Sequence, residues 1–426
     1  MLDVTALRAH PERVRQALLK RGMEVDVEAF LALDTEFRTA RRTVERLRGE
    51  RRQISADIAA LRRAGGEVEG PQAAAKALAE QVADAEAVLA RLARRHRDFL
   101  DGLPNLPDDD VVAGGKENNE VVREIGARPA LDFPAKAHVE LAQDLGLVDY
   151  KRGTKLGGNG FWIYRGEGAA LEWALLNYFV DTHRRAGYEF VLPPHILTYE
   201  AGYTAGQFPK FADDVFVLEK GEGGRPERFL LPTAETALVN LHRDETLDAS
   251  ELPRKYFAYT PCYRSESGGY RSAERGTLRG HQFDKVELFQ FVRPEDSDAA
   301  QLELLARAEE LVAGLGLHYR VTKLAAEDTS AAMAKTYDVE VWLPSLGAYA
   351  EVSSVSNARD YQARRGNIRF RPDGGAKAAY VHTLNASALA TSRLLPAILE
   401  QHQRADGTVA VPEVLRRWGM GEVLGG

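Results

Sequence analysis

Residues 263–291 read YRSESGGYRSAERGTLRGHQFDKVELFQF, and this stretch constrains the architecture of the second half of the chain. Its end alternates polar and apolar residues from Lys285 to Phe291, which is typical of a half-buried β-strand. Residues 258–263, just before it, show the same alternation. We therefore predict two antiparallel strands joined by a long polar loop. A loop of more than about 12–15 residues inside a compact domain is usually functional or disordered.

Charged residues of this stretch fall at positions that the strands would turn inward. They are Arg264, Glu266 and Glu287. Burying a charge is costly unless a partner neutralises it, so the pattern favours a polar ligand that carries phosphate. The alternative is a surface hairpin with a mobile tip, which would leave these charges in water.

The stretch resembles the second signature motif of class II aminoacyl-tRNA synthetases, and that of the seryl-tRNA synthetase family in particular. The resemblance is carried by Arg264, Ser265, Glu266, His281, Gln282, Phe283, Lys285, Val286 and Glu287. In that family a strand, a mobile loop and a second strand build the site for ATP and the amino acid. The resemblance therefore implies an α+β fold, with an antiparallel sheet flanked by helices and an N-terminal antiparallel α-helical coiled-coil arm.

Length and composition are those of a globular protein. A chain of 426 residues suggests two or three domains, and 44% hydrophobic residues provide material for a sizeable core. The formal net charge of −7 excludes a global basic field that would attract nucleic acid. Cys262 is the only cysteine, which excludes a disulfide framework or a cysteine-based zinc site and favours a reducing compartment.

The sequence shows the pattern of neither a membrane span nor a signal peptide. No apolar run approaches the roughly 18 residues that a spanning helix needs. The N-terminus MLDVTALRAHPERV lacks the hydrophobic region of a signal peptide. We therefore expect a cytoplasmic protein with no membrane partner.

The N-terminal region shows the apolar repeat of a coiled coil. Apolar residues recur in steps of three and four over residues 30–61 and again over residues 75–103, which is a period of about 3.5 residues. The glycine- and proline-containing segment 62–72 between them predicts a turn. We therefore predict an antiparallel arm at about residues 28–103, roughly 45 Å long at 1.5 Å per residue, within an N-terminal domain of residues 1–110.

The first helix of this arm carries a basic face. The arginines that we expect to contact tRNA are Arg38, Arg41, Arg42, Arg48 and Arg52. Such charges often form a merely solvated face. However, the planar guanidinium suits phosphate, and a basic arm on an acidic protein fits RNA held by its shape and backbone. In the seryl-tRNA synthetase family such an arm contacts the long variable arm of tRNA-Ser, so the resemblance implies that partner. His96, on the seam, is expected to be packed rather than a ligand.

Residues 111–134 are predicted to be a linker, because glycine and asparagine residues interrupt any periodicity there. Residues 135–426 then form the catalytic domain that the resemblance implies. Helices are predicted at residues 138–148 and 169–185, followed by a strand at residues 188–192 that ends at two prolines. This order resembles the first class II motif, which forms the dimer interface in the family and implies a homodimer.

The segment FLLPTAET, residues 229–236, has two interpretations. Thr233 could cap a helix with Glu235 beside the helix dipole, or both side chains could point into a cleft. In the seryl-tRNA synthetase family PTAE lies where serine binds, so the resemblance favours the cleft. The serine-binding residues that it implies are Thr233, Ala234, Glu235, Arg264, Glu287, Asn385 and Ser387. A site that requires the serine hydroxyl discriminates well against analogues that lack it.

Two adjacent strands are predicted in residues 337–357, where Glu351 lies beside Ser353 and Ser354. A carboxylate beside hydroxyls suits Mg²⁺, which takes one or two carboxylates together with phosphates, although a solvated strand fits the spacing equally well. The resemblance implies that this segment lies along ATP, with Glu351 and Ser354 near the metal. The ATP-binding residues that it implies are Arg264, Ser265, Glu266, Gly280, Glu351, Val352, Ser353, Ser354 and Arg393.

Residues 382–403 are predicted to form a strand that ends at Asn385 and a helix that starts with small residues. Arg393 would project from this helix one turn in. A lone helical arginine is usually solvated, but the strand-to-helix order resembles the third class II motif, whose arginine binds the γ-phosphate of ATP. A further helix is predicted at residues 307–316, before a strand at residues 319–323.

The resemblance implies a two-step reaction on L-serine, ATP and tRNA-Ser. The serine carboxylate attacks the α-phosphate of ATP, and the seryl-adenylate then reacts with the 3′ end of the tRNA. Arg264 and Arg393 are the expected catalytic residues, because phosphoryl transfer depends on positioning and charge stabilisation. The glycine-rich loop at residues 268–276 is expected to exclude water.

Some positions depart from the family's pattern and leave the amino-acid preference open. Val355 replaces a usual cysteine and Gly280 replaces a side chain, whereas no expected charged contact is lost. Two alternatives also stay open. One is a paralogue that activates serine or an analogue for a biosynthetic or self-resistance role, against which the basic arm argues. The other is a non-catalytic RNA-binding descendant, against which the inward charges argue.

Overall fold

A computed structural model of the protein describes residues 1–266, 276–372, 374 and 376–425. The described residues divide into two compact units. The smaller unit holds residues 2–18 and 23–103, and the larger unit holds residues 1 and 19–22 together with the described residues from 104 onward. Of the loop predicted at residues 268–276, only Gly276 is among the described residues.

The smaller unit is helical. Its helices are α1 (Val4–Ala9), α2 (Pro11–Leu19), α3 (Val27–Arg63) and α4 (Glu69–Gly102). Asp26 caps α3 with a side-chain oxygen that accepts a hydrogen bond from the Ala29 amide at 2.8 Å. Helices α3 and α4 run antiparallel: Arg48 pairs with Glu86, whereas the earlier Asp34 pairs with the later His96. Leu47, Leu78 and Val82 fill their buried seam. The two long helices and their apolar seam are consistent with the predicted coiled-coil arm.

The turn between the two long helices is shorter than predicted. Helix α4 begins at Glu69, so Gly70 and Pro71 lie in its first turn rather than in the connection. Proline is tolerated there because the first amides of a helix have no partner within the helix. Glycine and proline beside each other predicted a loop, but here they belong to a helix start.

His96 lies where the seam becomes polar. Its ring packs against Phe30 and Phe37, with centroid distances of 5.0 and 4.8 Å, and its Nε2 lies 3.1 Å from the Asp34 carboxylate. Burial raises the pKa of Asp34, but hydrogen bonds from Arg8 and His96 outweigh burial and lower it overall. His96 is therefore a packed histidine, as predicted.

The larger unit combines helices with strands. Its helices are α5 (His138–Asp144), α6 (Tyr150–Gly157), α7 (Glu167–Arg185), α8 (Tyr199–Ala205), α9 (Glu235–Leu238), α10 (Ser297–Gly314), α11 (Tyr361–Gly366), α12 (Thr391–Gln401) and α13 (Glu413–Arg416). Its strands are β1 (Glu120–Ile125), β2 (Val148–Asp149), β3 (Ile163–Tyr164), β4 (Glu189–Val191), β5 (Ile196–Thr198), β6 (Val217–Lys220), β7 (Pro226–Leu230), β8 (Thr246–Asp248), β9 (Arg254–Tyr263), β10 (Gln282–Val292), β11 (Tyr319–Lys323), β12 (Lys335–Leu343), β13 (Ala348–Arg359), β14 (Arg369–Arg371), β15 (Ala379–Tyr380), β16 (His382–Ala390), β17 (Val409–Ala410) and β18 (Val423–Leu424).

An eight-stranded sheet organises this unit, in the order β1-β11-β12-β13-β16-β10-β9-β4. Its neighbouring strands are antiparallel except β4 and β9, which are parallel. Strand β10 lies between two apolar cores. Val286 and Leu288 point into the core that α7, α10 and α12 cover. Phe289 and Phe291 point into the core on the opposite face. The predicted antiparallel sheet flanked by helices is confirmed.

The hairpin predicted around residues 263–291 is formed by β9 and β10. Ala258 lies opposite Glu287, and Cys262 lies opposite Phe283. On its other side β10 pairs with β16, which places Ser387 opposite Glu287. The polar residues of two sequence motifs therefore meet on adjacent strands in the middle of the sheet.

Strand β16 corrects one predicted boundary. Residues 386–390, which are all alanine or serine except Leu389, continue the strand, and α12 begins only at Thr391. All of them except Ser387 are buried because β16 is central, with Ala386 paired to Val355 on one side and to Leu288 on the other. As a result Arg393 lies in the first turn of α12 rather than one turn in.

Two other predictions also differ from the structure. The segment 111–134, predicted to be a linker, contains β1, which pairs with β11 at the edge of the main sheet. The residues of β1 are mostly exposed, so its sequence shows no alternation of apolar buried and polar exposed residues. Helix α10 begins at Ser297, earlier than the predicted start at residue 307. Among the described residues, no helix is both long and apolar enough to cross a membrane.

Candidate active site

Three adjoining cavities of the larger unit line one side of the main sheet. The inner cavity, about 470 Å³, is lined by Thr233, Glu235, Arg264, Glu266, Arg279 and Met333 among others. The narrow cavity, about 50 Å³, is lined by Arg264, Glu266, Gly280, Phe283, Val352, Ser387 and Arg393 among others. The acidic cavity, about 620 Å³, is lined by Asp328, Asp338, Glu340, Glu351, Ser354 and Arg393 among others. Because neighbouring cavities share lining residues, they form one cleft.

A fully buried carboxylate, Glu287 of β10, lies beside the inner cavity. It accepts hydrogen bonds from Oγ1 of Thr233 at 3.2 Å and from Nδ2 of Asn385 at 3.0 Å. It also pairs with Lys285, whose Nζ donates to Oγ1 of Thr233 at 2.7 Å. The charge of Glu287 is thus matched inside the protein, and polar groups of three segments are held around it.

A second carboxylate, Glu235 at the start of α9, lines the inner cavity itself. It accepts hydrogen bonds from the amides of Gln362 at 2.7 Å and Asn385 at 3.4 Å. Burial, and then the negative charge of Glu287, raise the pKa of Glu235 to about 7. A cationic group bound beside it would favour the charged form, so this position suits the ammonium group of an amino acid.

The segment around Thr233 does not form the side-chain helix cap that was one of its two interpretations. The residue before α9 is Ala234, and α9 has no side-chain cap. The Thr233 hydroxyl bonds to Lys285 and Glu287 instead. Ala234 is fully buried in an apolar core, so its side chain does not face the cavity. Its predicted contact with serine is therefore limited to its backbone.

Arg264 stands between the inner and narrow cavities and lines both. Its guanidinium lies 5.3 Å from the centre of the Phe283 ring, and its Nε donates to the Pro232 carbonyl at 3.3 Å. A planar cation held at the boundary between two cavities is placed to contact a phosphate that spans them.

Ser265 and Glu266, the next two predicted ATP contacts, behave differently. Ser265 donates its hydroxyl to the carbonyl of Asp213 at 2.6 Å and its amide to the carbonyl of Asp214 at 3.0 Å. Both bonds tie Ser265 to the backbone of the neighbouring segment, and Ser265 is not among the residues that line the three cavities. Glu266 does line the cleft and pairs with Arg279 at 2.5 Å.

Gly280 lines the narrow cavity through its backbone. A Cβ at this position would lie 2.1 Å from the Trp162 ring and 2.8 Å from the carbonyl of Gly160, so no larger residue fits. This close approach gives a physical reason for the departure noted at Gly280. Ser387, on the neighbouring side of the same cavity, lines it from β16.

Glu351 and Arg393 meet where the narrow and acidic cavities join. Their side chains lie 3.0 Å apart, and Nη1 of Arg393 also donates to the Glu351 carbonyl at 3.1 Å. Burial raises the pKa of Glu351, but the charge and hydrogen bond of Arg393 outweigh burial and lower it overall. Ser354 donates to Asp338 at 2.6 Å and lies 3.3 Å from Glu351. Oxygen donors of Glu351 and Ser354 therefore share one wall.

Val352 and Ser353 lie on opposite sides of β13. Val352 lines the narrow cavity. Ser353 is fully buried, and its hydroxyl donates to the backbone carbonyl of Ser387 at 2.6 Å. The predicted contact of Ser353 with ATP is therefore not supported by its side chain, which ties β13 to β16 instead.

The sequence patterns did not identify three buried polar residues of this site, Lys285, Asp338 and Gln362, as contacts. Lys285 belongs to the quoted motif, but the pattern gave it no role. Asp338 lies in an alternating strand, where an inward polar residue cannot be distinguished from a solvated one. Gln362 lies in the segment DYQARRGNIRFR with no spacing that relates it to Glu235.

The predicted tRNA-contacting arginines lie on α3 in the smaller unit. Arg41, Arg42, Arg48 and Arg52 are exposed. Arg41 pairs with Glu45 and Arg48 with Glu86, both in exposed ion pairs. Arg38 differs, because it is half-buried and pairs with the buried Asp34 at 3.0 Å. Its contact with Asp34 gives it a structural role in addition to the predicted one.

Comparison with known proteins gives two family matches. Residues 1–107 match the seryl-tRNA synthetase N-terminal domain. Residues 217–402 match the tRNA synthetase class II core domain of the G, H, P, S and T group.

Relatives and solved structures cover nearly the whole chain. Serine–tRNA ligase 2 of Clostridium acetobutylicum is 58% identical over 98% of this chain and 99% of its own length. Serine–tRNA ligase of Thermodesulfovibrio yellowstonii is 44% identical over 98% of each chain. The crystal structure of seryl-tRNA synthetase from Pyrococcus horikoshii complexed with ATP is 35% identical with a TM-score of 0.90, covering 100% of this chain and 99% of that one.

Proposed function

This chain belongs to the seryl-tRNA synthetase family of class II aminoacyl-tRNA synthetases, and we propose how its residues perform the serine–tRNA ligase reaction. The reaction activates L-serine with ATP to seryl-adenylate and transfers the seryl group to the 3′ end of tRNA-Ser. The observation that carries the proposal is the cleft in which Glu235, Arg264 and Arg393 line adjoining cavities. Such a cleft can hold a small amino acid beside a nucleotide.

Serine binds in the inner cavity. Its ammonium group lies beside Glu235, whose pKa of about 7 lets a bound cation complete its ionisation. Asn385 is placed to accept from the substrate, since its Oδ1 is buried and has no hydrogen bond within the described residues. Thr233 offers its hydroxyl within this cavity, next to the backbone of Ala234, and Ser387 offers a second hydroxyl from the adjoining narrow cavity. Glu287 then serves as an acceptor behind Thr233 and Asn385.

Activation takes place at the boundary of the inner and narrow cavities. A carboxylate oxygen of serine attacks the α-phosphorus of ATP, a new O–P bond forms, and the bond to the bridging oxygen of pyrophosphate breaks. No nucleophilic side chain is required, because positioning and charge stabilisation dominate phosphoryl transfer. Arg264 lines both cavities and neutralises charge on the α-phosphate as it develops.

The β- and γ-phosphates extend toward Arg393 at the entrance of the acidic cavity. Gly280 and Val352 form walls of the narrow cavity that holds the nucleoside side, with Glu266 at its edge. Arg393 stabilises the charge of the departing pyrophosphate, as expected of a cation that is held in place before the reaction.

Glu351 and Ser354 would hold Mg²⁺. The donor set fits this ion, since a carboxylate and a hydroxyl lie 3.3 Å apart on one wall. Mg²⁺ in such sites takes one or two carboxylates together with substrate phosphates, so Glu351 and Ser354 need not supply a complete ligand set. Bound Mg²⁺ would supply positive charge for the phosphate oxygens.

The arm is proposed to hold the tRNA. Residues 1–110 form the tRNA-binding domain and residues 135–426 the catalytic domain. Arg41, Arg42, Arg48 and Arg52 present exposed guanidinium groups on α3, and exposed ion pairs such as Arg48 with Glu86 exchange readily for phosphate because they contribute little stability. Arg38 contributes to this face from its pair with Asp34.

A homodimer is part of the proposal. Large apolar side chains are exposed on α7 and at β4, the edge strand of the main sheet: Trp173 of α7 is 59% exposed, Phe190 of β4 38%, and Leu192 just after β4 70%. Exposed apolar side chains at a sheet edge favour a protein interface. We also propose a cytoplasmic location, because charged tRNA is used there and Cys262 is a free thiol.

Serine-dependent exchange of pyrophosphate into ATP, followed by charging of a tRNA-Ser transcript, tests the function. Wild-type protein should catalyse both, and Arg264→Ala should lose exchange. Undiminished exchange in Arg264→Ala would refute the assignment of Arg264. Charging that is insensitive to removal of the variable arm would instead favour a specialised paralogue, and binding of tRNA without exchange would favour a non-catalytic descendant.

A further inference from the structure

A buried glutamine, Gln362 of α11, supports the inner cavity from behind. It is fully buried, and its Nε2 donates to Oε1 of Glu235 at 2.7 Å and to the carbonyl of Ala205 at 3.0 Å. Its Oε1 accepts from the hydroxyl of Thr383 at 2.7 Å. Because the Ala205 carbonyl can only accept, the orientation of the Gln362 amide is determined.

A buried glutamine does not need a carboxylate partner to satisfy the hydrogen-bonding groups of its amide. Gln301 is a second buried glutamine of the larger unit, and its Nε2 donates to the backbone carbonyls of Lys335 and Val355. Gln301 thus satisfies its amide with backbone groups. Gln362 instead directs one N–H to a carboxylate that lines the cleft.

The partners of the two carboxylates differ in charge. Glu287 pairs with the ammonium group of Lys285 on the same strand, whereas the hydrogen bonds to Glu235 come from the neutral amides of Gln362 and Asn385. The charged groups that influence Glu235 are Glu287, which repels it, and Lys285 and Arg264, which favour its ionised form. A neutral donor orients a carboxylate without cancelling its charge.

We propose that Gln362 is a positioning residue for amino-acid recognition: it binds Oε1 of Glu235 from behind and leaves the charge of this carboxylate for the ammonium group of serine. Thr383 supports this role, because its hydroxyl donates a hydrogen bond to Oε1 of Gln362 and so keeps the amide from rotating by 180°. This inference rests on the proposed function, since it requires that the inner cavity binds an amino acid.

The test compares Gln362→Met with Gln301→Met, which removes a buried amide that has no carboxylate partner. In pyrophosphate exchange, Gln362→Met should raise the KM for serine about tenfold or more, as expected for a lost hydrogen bond to a charged group. Its kcat and its KM for ATP should stay within about threefold of wild type. Gln301→Met should leave the KM for serine within about twofold. Thr383→Val should raise this KM by less than Gln362→Met does.

The pH profile distinguishes positioning from a structural role. A hydrogen bond donated to a carboxylate favours its charged form, so its removal raises the pKa of that carboxylate. In Gln362→Met the acidic limb of kcat/KM for serine should therefore move to higher pH, and Gln301→Met should not move it. Calorimetric titration with a non-hydrolysable seryl-adenylate analogue should show the same loss of affinity without turnover.

The outcomes separate this inference from the proposed function. If wild-type protein lacks serine-dependent exchange, the proposed function fails. If wild type exchanges but Gln362→Met and Thr383→Val keep its KM for serine and its pH profile, the inference is overturned. Should Gln362→Met fail to fold, Thr383→Val decides, with Thr383→Ser as the control that restores the hydroxyl and should restore the KM.

Discussion

Nζ of Lys285 lies 2.7 Å from Oγ1 of Thr233 and donates a hydrogen bond to it. The same ammonium group pairs with Glu287, and both charged side chains are almost completely buried. Lys285 therefore matches a charge that would otherwise be unpaired in the centre of the sheet, and it also fixes the Thr233 hydroxyl of the proposed serine site.

Lys285→Met should destabilise the protein. Removing one partner of a buried ion pair leaves the other charge uncompensated, which costs about 3–5 kcal/mol. Lys136→Met is the matched control, because Lys136 pairs with Asp144 in an exposed bridge that contributes little to stability. Urea unfolding monitored by circular dichroism measures both changes. Equal unfolding midpoints for the two variants would contradict the structural role of Lys285.

Arg393→Ala should lower kcat for pyrophosphate exchange by about 10²–10³-fold, since it removes a fixed cation from the developing charge of the leaving group. Arg393→Lys should fall between this variant and wild type, because a lysine keeps the charge but loses the planar fork. Arg416→Ala, which breaks an exposed pair with Glu422, should not change kcat. Exchange by Arg393→Ala at the rate of wild type would exclude a catalytic role for Arg393.

Much of this fold could be predicted because its central strands carry regular patterns. The alternation from Lys285 to Phe291 predicted β10, and the apolar repeat predicted α3 and α4. Strand β1 could not be predicted in this way, since an edge strand with exposed side chains resembles a loop. The small residues 386–390 resembled a helix start because sequence alone does not show that β16 lies between two strands.

The site was predictable where residue type limits the chemistry. Arg264, Glu235 and Arg393 all line the cleft. Serines were harder, because a hydroxyl serves equally well as a ligand contact or as a donor to the backbone. Ser353 and Ser265 donate to carbonyl groups. Gln362 approaches Glu235 only through tertiary structure, so no local pattern could connect them.

The buried carboxyl group of Glu172 should make the free energy of unfolding decrease as the pH rises. Burial raises the pKa of this carboxyl from an ordinary 4.5 to about 8, and a hydrogen bond from Thr391 offsets only part of the effect. The folded protein therefore binds this proton more tightly than the unfolded chain does, so the free energy of unfolding decreases between about pH 4.5 and 8. Glu172→Gln should flatten this decrease.

Urea unfolding at pH 5 and pH 8 measures the Glu172 effect. Relative to wild type, Glu172→Gln should gain stability at pH 8 compared with pH 5, whereas Glu413→Gln, at an exposed position, should follow wild type. A decrease of the same size in wild type and Glu172→Gln would show that other groups cause the pH dependence.

Arm variants should separate tRNA binding from serine activation. Arg48→Ala combined with Arg52→Ala removes exposed guanidinium groups from α3, so the affinity for tRNA-Ser should fall and its salt dependence should become less steep, because fewer counterions are released on binding. Pyrophosphate exchange, which needs no tRNA, should stay at the rate of wild type.

Filter binding across a series of salt concentrations measures this salt dependence of tRNA affinity. Glu80→Ala on α4, which removes no cation, is the control. An unchanged slope in the double variant would mean that these arginines do not contact phosphate.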